Sequence, residues 1–259
     1  MEKIKVFLSN PQILFREGIH FILSGEDDFE VTGETVTNDE ALTHIEANPP
    51  NIAILSMEDS HRAGPEVTQR IKRSLPSVSV ILTMDKSDED KIFAAMKSGV
   101  GACITKDSDP EYLLDTIRVV TQGSQPIIES LLVPGLAARV LAEFKGLGAL
   151  SEQLGNLLAS LAPKESDVLS GIAAGSNMEQ LTAKLNLNEE AIRRHLKVIL
   201  NKLIANDQAQ ALIEAAQRSL PSLILGAGKA GTSSAQYVTK EEFTDFKETL
   251  LSRLKSLIG

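Results

Sequence analysis

The chain has 259 residues, enough for one or two domains with a buried core. Apolar residues make up 42% and charged residues 24%, as in ordinary globular proteins, and one cysteine, Cys103, excludes an internal disulfide or a multi-cysteine metal site. The net charge of −9 excludes a surface coated for phosphate binding, and no apolar run approaches the roughly 20 residues of a membrane span. The N-terminus carries no signal-peptide pattern, so the expected compartment is the cytoplasm, with no membrane partner.

Apolar, β-rich runs are predicted as strands at Ile4–Leu8, Phe29–Thr32, Ile52–Leu55, Val78–Leu82 and Ala102–Ile104. Amphipathic patterns between them predict helices at Ile13–Leu23, Asn38–Ala47, Pro65–Ser74, Glu89–Ser98 and Pro110–Val120. Strict alternation of strand and helix implies an α/β domain with a parallel sheet, helices on both faces and right-handed crossovers, over residues 1–124. In such folds ligands sit at the carboxyl ends of the strands. The first strand ends in Ser9-Asn10-Pro11-Gln12, without a charge.

Residues 125–157 read as a helical linker, interrupted by Pro134-Gly135 and by Gly146 and Gly148, and available as an oligomerisation surface. Residues 158–220 are purely helical. A helix from Pro163 to near Gly175 precedes a short helix, Met178–Leu185, and the turn Asn186-Leu187-Asn188. Asn188 is a good N-cap for a longer helix from Glu189 to about Leu203, followed by a separate one at Gln208–Arg218 suited to dimerisation. Residues 221–259 comprise a flexible Gly/Ser-rich linker and an amphipathic helix, Lys240–Ile258, with a stripe of Phe243, Phe246, Leu250, Leu254 and Leu257. That stripe suits self-association, docking on its own chain or holding a partner; its mixed-sign polar face disfavours a membrane surface.

Residues 1–150 alone sum to −9, whereas residues 158–220 balance seven bases with seven acids. Four of those bases fall between Arg193 and Lys202. On the long helix, Ile192, Leu196, Ile199, Leu200 and Leu203 make the buried stripe, which leaves Arg193, Arg194 and Lys197 together on the opposite face. A short helix, a tight turn and a longer helix with basic first turns is geometry that enters a major groove.

The segment LAPKESDVLSGIAAGSNMEQLTAKLNLNEEAIRRHLKVILNKL resembles the LuxR-type helix-turn-helix of NarL/FixJ response regulators. The resemblance implies a transcription regulator binding double-stranded DNA. Arg193, Arg194 and Lys197 then occupy groove-facing positions, and His195 and Lys202 positions of backbone contact or helix packing. Ala191 and Met178 depart from the family pattern at two phosphate-contacting positions, and Lys164 replaces its first-helix Arg.

The N-terminal segments ILFREG, NIAIL, VILT and KSGVGACITKD resemble the flavodoxin-like (βα)5 receiver domain that accompanies this module. Receivers phosphorylate an aspartate at the end of the third strand, with a Mg²⁺ ion held by two acids after the first. Laid on that pattern, the acids become Asn10 and Pro11, the acceptor becomes Ser56, and the aromatic switch residue becomes Cys103. Only Thr83 and Lys106 survive. Asn10 offers Mg²⁺ one neutral carbonyl, Pro11 nothing, and Ser56 cannot form an acyl phosphate. Glu58 and Asp59 read as ordinary exposed loop acids. The resemblance therefore implies a receiver-like domain that takes no phosphoryl group on aspartate, and no cofactor or metal.

Thr83 and Lys106 have two readings: a strand-end cap and an ion pair with Asp107 or Asp85, or part of an altered pocket for a small anion or metabolite. Cys103 reads as a buried, inert thiol rather than a redox sensor. No histidine partners Ser56, and no catalytic constellation appears, so an enzyme is not expected. The favoured function is a dimeric or higher-order DNA-binding regulator. The alternative is an interaction protein whose receiver-like domain binds a protein partner and whose helix-turn-helix has lost specific DNA binding.

Overall fold

A computed structural model describes residues 3–153 and 158–219. The predicted C-terminal helix Lys240–Ile258 and the linker before it lie outside the described residues. Five strands, β1 (Ile4–Ser9), β2 (Phe29–Thr35), β3 (Ile52–Ser56), β4 (Ser79–Met84) and β5 (Ala102–Thr105), pair in parallel in the order β2-β1-β3-β4-β5. Along β3 successive side chains serve opposite faces. Ile52 and Ile54 pack with Val6, Leu8 and Ile81 against α1 (Ile13–Ser24) and α5 (Pro110–Thr121). Ala53 and Leu55 pack with Phe7, Val80 and Leu82 against α2 (Asn38–Ala47), α3 (Gly64–Ser74) and α4 (Glu89–Ser98). Apolar side chains on both faces are what a sheet covered on both sides requires.

The second strand runs three residues beyond the predicted Thr32, through Gly33. The glycine is needed inside the strand: a Cβ there would lie 2.6 Å from the Phe7 ring, at the point where the β1–β2 register shifts.

After α5 a 3₁₀ segment, Pro126–Leu132, leads into α6 (Pro134–Gln153). The expected interruption at Gly146 and Gly148 does not occur. A helical glycine costs about 1 kcal/mol relative to alanine, and the buried stripe Leu136, Ala137, Val140, Phe144 and Leu147 outweighs it. Pro134 and Gly135 start this helix rather than break it.

Helices α7 (Pro163–Ala173) and α8 (Met178–Leu185) pack so closely that a Cβ on Gly171 would meet Leu181 at 2.5 Å. Asn177 and Gln180 form a capping box on α8, and Asn186 ends it in the left-handed conformation. Asn188 then accepts from the Ala191 amide at 2.8 Å and starts α9 (Glu189–Ser219).

The predicted division of α9 into two helices is corrected: a single helix runs through Asn206-Asp207. Asn and Asp side chains within a helix can compete for the local backbone. Here they point elsewhere. Buried Asn206 accepts from the Ala159 amide at 2.7 Å and donates to its carbonyl at 2.9 Å. Asp207 bonds to Gln69 and pairs with Lys97 at 3.0 Å. The core of the helix-turn-helix, with Val168, Leu181, Ile192 and Leu196, is continuous with the α2–α4 side of the sheet.

Candidate nucleic-acid interface and strand-end site

The helix-turn-helix presents its basic residues from α9. Ile192, Leu196, Ile199, Leu200 and Leu203 are buried, as the predicted stripe requires, and this turns Arg193, Arg194 and Lys197 outward. Arg193 is 45% and Arg194 68% exposed; His195 is half-buried. Both arginines are engaged. Arg194 faces Glu190 at 3.5 Å one turn back, and Arg193 binds Glu189 at 2.9 Å. Arg193 also pairs with Glu129 of the 3₁₀ segment, a residue that no sequence pattern marked.

Lys202 is half-buried and turned onto its own domain instead. Its ammonium pairs with buried Glu165 at 2.7 Å and donates to the Ser160 carbonyl at 3.0 Å. Glu165 also accepts from the Ala162 amide at 2.8 Å, closing the N-terminus of α7. Of the two roles anticipated for Lys202, this contact network serves helix packing.

At the opposite end of the chain, the carboxyl ends of β1, β3, β4 and β5 bring Asn10, Ser56, Thr83 and Lys106 together. Pro11, Ser56, Thr83 and Lys106 line a cavity of about 140 Å³. Asn10 is buried; its amide donates to Thr83 Oγ1 at 3.3 Å and its carbonyl accepts from the Gln12 amide at 2.9 Å. Thr83 donates in turn to the Leu55 carbonyl at 3.2 Å, and Ser56 donates to the Glu58 carbonyl at 2.7 Å. Arg16, within the ILFREG motif, clamps the end of β1 by donating to the Asn10 carbonyl at 2.8 Å while paired to Glu34. The sequence pattern placed Arg16 only as part of a helix start.

Lys106 pairs with Asp85 at 2.6 Å, one of its two anticipated partners, and lies over the Phe15 ring. The ammonium's hydrogen bond holds the Asp85 carboxyl below the usual carboxylate range. Glu58 pairs with Lys91 at the surface. Asp59 differs from the expected exposed acid: its carboxylate is buried and accepts from the Asn38 amide at 2.7 Å and the His61 amide at 2.8 Å, fixing the loop to the start of α2.

Magnesium needs carboxylate oxygens in octahedral array, and this donor set does not fit it. Asn10 and Ser56 spend their polar atoms on protein partners, and the acids that remain near them are tied to lysines. No group of three acids, histidines or cysteines able to hold a metal occurs among the described residues.

Cys103 stands apart, in a separate cavity of about 180 Å³ with Met84, Ile92, Tyr112 and Ile127. Burial pushes its thiol up to about 12. It is therefore protonated throughout the physiological range, and iodoacetamide at pH 8 should label the native chain about 1,000-fold more slowly than a free thiol of pKa about 8.5. Mass-spectrometric labelling kinetics, native against urea-unfolded, measure this directly.

Residues 7–118 match the response regulator receiver domain family, and residues 159–215 match the LuxR family of bacterial regulatory proteins. The transcriptional regulatory protein YhcZ of Bacillus subtilis is 26% identical over 217 residues, covering 84% of this chain and 97% of its own. The response regulator protein VraR of Staphylococcus aureus is likewise 26% identical, over 84% of this chain and 98% of its own. Among solved structures, a DNA-binding response regulator of the LuxR family from Staphylococcus aureus has a TM-score of 0.44 at 24% identity, over 46% of this chain and 98% of its own. The RcsB response regulator of Salmonella typhimurium has a TM-score of 0.45 at 20% identity, over 78% and 93%. Among the described residues no helix is long and apolar enough to cross a membrane.

Proposed function

The chain belongs to the LuxR-type response regulators, and from that premise we propose that it regulates transcription through a receiver domain that takes no phosphoryl group on aspartate. One observation carries the proposal. At the three positions where a receiver places its acids stand Asn10, Pro11 and Ser56, and both polar side chains are closed onto Thr83, Gln12 and the Glu58 carbonyl. A hydroxyl donating to a neighbouring carbonyl is no substitute for a carboxylate that must become an acyl phosphate. DNA binding is assigned to Arg193, Arg194 and Lys197, with His195 beside them, and two copies of the chain reading paired half-sites would raise its affinity. The assigned domains are residues 1–124 and 158–220, joined by 125–157.

Intact mass after incubation with acetyl phosphate and Mg²⁺ tests the receiver. The expected result is a chain without acyl phosphate; a hydroxylamine-labile adduct of one phosphoryl group mapping to an aspartate within residues 1–124 refutes it.

A second reading has one observation in its favour. Arg193 is held by Glu189 and Glu129, so a helix-turn-helix used only for protein contacts would look the same. Selection from random duplex DNA separates the two: enrichment of an inverted repeat supports regulation, and no enrichment over random sequence supports the interaction module.

A further inference from the structure

The small cavity at the strand ends does not stop at Lys106. On the other side of that side chain, between α1 and α5, lies a second cavity of about 250 Å³, and Thr83 and Lys106 line both. The second is apolar. Phe15, Gly18, Ile19 and Ile22 of α1 and Leu113 of α5 form its walls, and Ile104 of β5 its base. Gly18 leaves its wall open, since a Cβ there would meet nothing within 4 Å. Leu14 stands at the same cavity and is 89% exposed. A polar chamber and an apolar chamber thus meet at one lysine whose side chain is only 16% exposed.

We propose that this two-chamber cleft binds a small aliphatic monocarboxylate, its carboxylate on Lys106 and its tail between α1 and α5. Each element of the class follows from the lining. The apolar chamber, about 250 Å³, has room for a short alkyl tail. Lys106 supplies the positive charge. Its present partner, Asp85, is half-exposed and can turn to solvent when another carboxylate takes its place. The polar chamber also contains Glu58 and Asp85, so it opposes phosphate and other multiply charged anions while one carboxylate can replace Asp85. The tail would rest on β5 through Ile104, in a chamber that shares Thr83 and Lys106 with the strand-end cavity at Ser56, which makes it an input compatible with a silent aspartate site.

The inference rests on the phosphorylation-independent reading, and its test is separate. Isothermal titration of the full chain with octanoate, without phosphodonor, is compared with octanol and inorganic phosphate. The expected result is saturable one-to-one octanoate binding, at least about tenfold tighter than either comparison compound. G18L fills the apolar chamber from an unstrained helix position and should weaken octanoate at least about tenfold, with the thermal unfolding midpoint preserved. K106Q should bind octanoate and octanol alike. Unsaturable or multi-site uptake, or equal affinity in G18L, overturns the proposal. Self-association by sedimentation that G18L abolishes, without octanoate binding, also overturns it and makes a second copy the occupant. An adduct with acetyl phosphate would refute the silent receiver while leaving the octanoate isotherm to be judged by these same outcomes.

Discussion

Alanine at both Arg193 and Arg194 is expected to lower the affinity of the full chain for its selected DNA site by at least about a hundredfold. Each side chain reaching a base edge or a phosphate contributes about 1–3 kcal/mol, and every lost phosphate contact reduces the salt slope by about one. Both residues are exposed on α9 while the stripe behind them is buried, so the variant removes charge without touching the core. Glu129→Ala is the opposing arm. It frees Arg193 from an exposed pair and should tighten binding by up to about fivefold, the scale of about 1 kcal/mol for such a pair. Fluorescence anisotropy across a range of salt concentrations measures both. Unchanged affinity and slope in the double variant would remove α9 as the DNA-reading element.

The other large effect is on stability. Lys202→Ala leaves the Glu165 carboxylate buried without its ammonium, and breaking one side of a buried pair costs about 3–5 kcal/mol. Urea unfolding followed by circular dichroism should show the helical transition lowered by more than about 1 M, given slopes of about 1–3 kcal/mol/M. Replacing both partners, with Lys202→Met and Glu165→Leu, should recover most of the loss, because an apolar pair carries no stranded charge. A Lys202→Ala chain of undiminished stability, but with a shallower salt dependence of DNA binding, would instead make Lys202 a phosphate contact.

Periodicity made the framework legible in the amino-acid sequence. Continuous apolar runs alternating with amphipathic helices identify a parallel sheet covered on both faces, and the spacing of Ile192, Leu196 and Leu203 identifies which side of α9 is free. What was not legible depends on partners distant in sequence. Nothing local in Asn206-Asp207 distinguishes a helix break from two side chains recruited by Ala159 and Lys97. Asp59 looked like any loop acid, since its carboxylate is buried only because Asn38 and the turn at His61 surround it. Glu129 lies in a 3₁₀ segment with no amphipathic signal, and its meeting with Arg193 depends on how α9 packs. The strand-end site was partly legible: Asn10, Pro11, Ser56, Thr83 and Lys106 came from one resemblance, while the apolar chamber beyond Lys106 is made by two helices that no linear motif joins.

The uninterrupted course of α9 has a mechanical consequence. Arg193, Ile204 and Asp207 lie at spacings that return to nearly the same azimuth, and each meets the rest of the chain: Glu129, the surroundings of Gly99, and Lys97 with Gln69. The outer two of these points are fourteen residues apart, about 21 Å along the axis at 1.5 Å per residue. A stiff rod pinned at several points along one line cannot roll to expose that line by degrees; it must lift away as a whole. Loss of the Asp207 fastening at one end of this rod is therefore expected to loosen the Glu129 contact of Arg193 at the other.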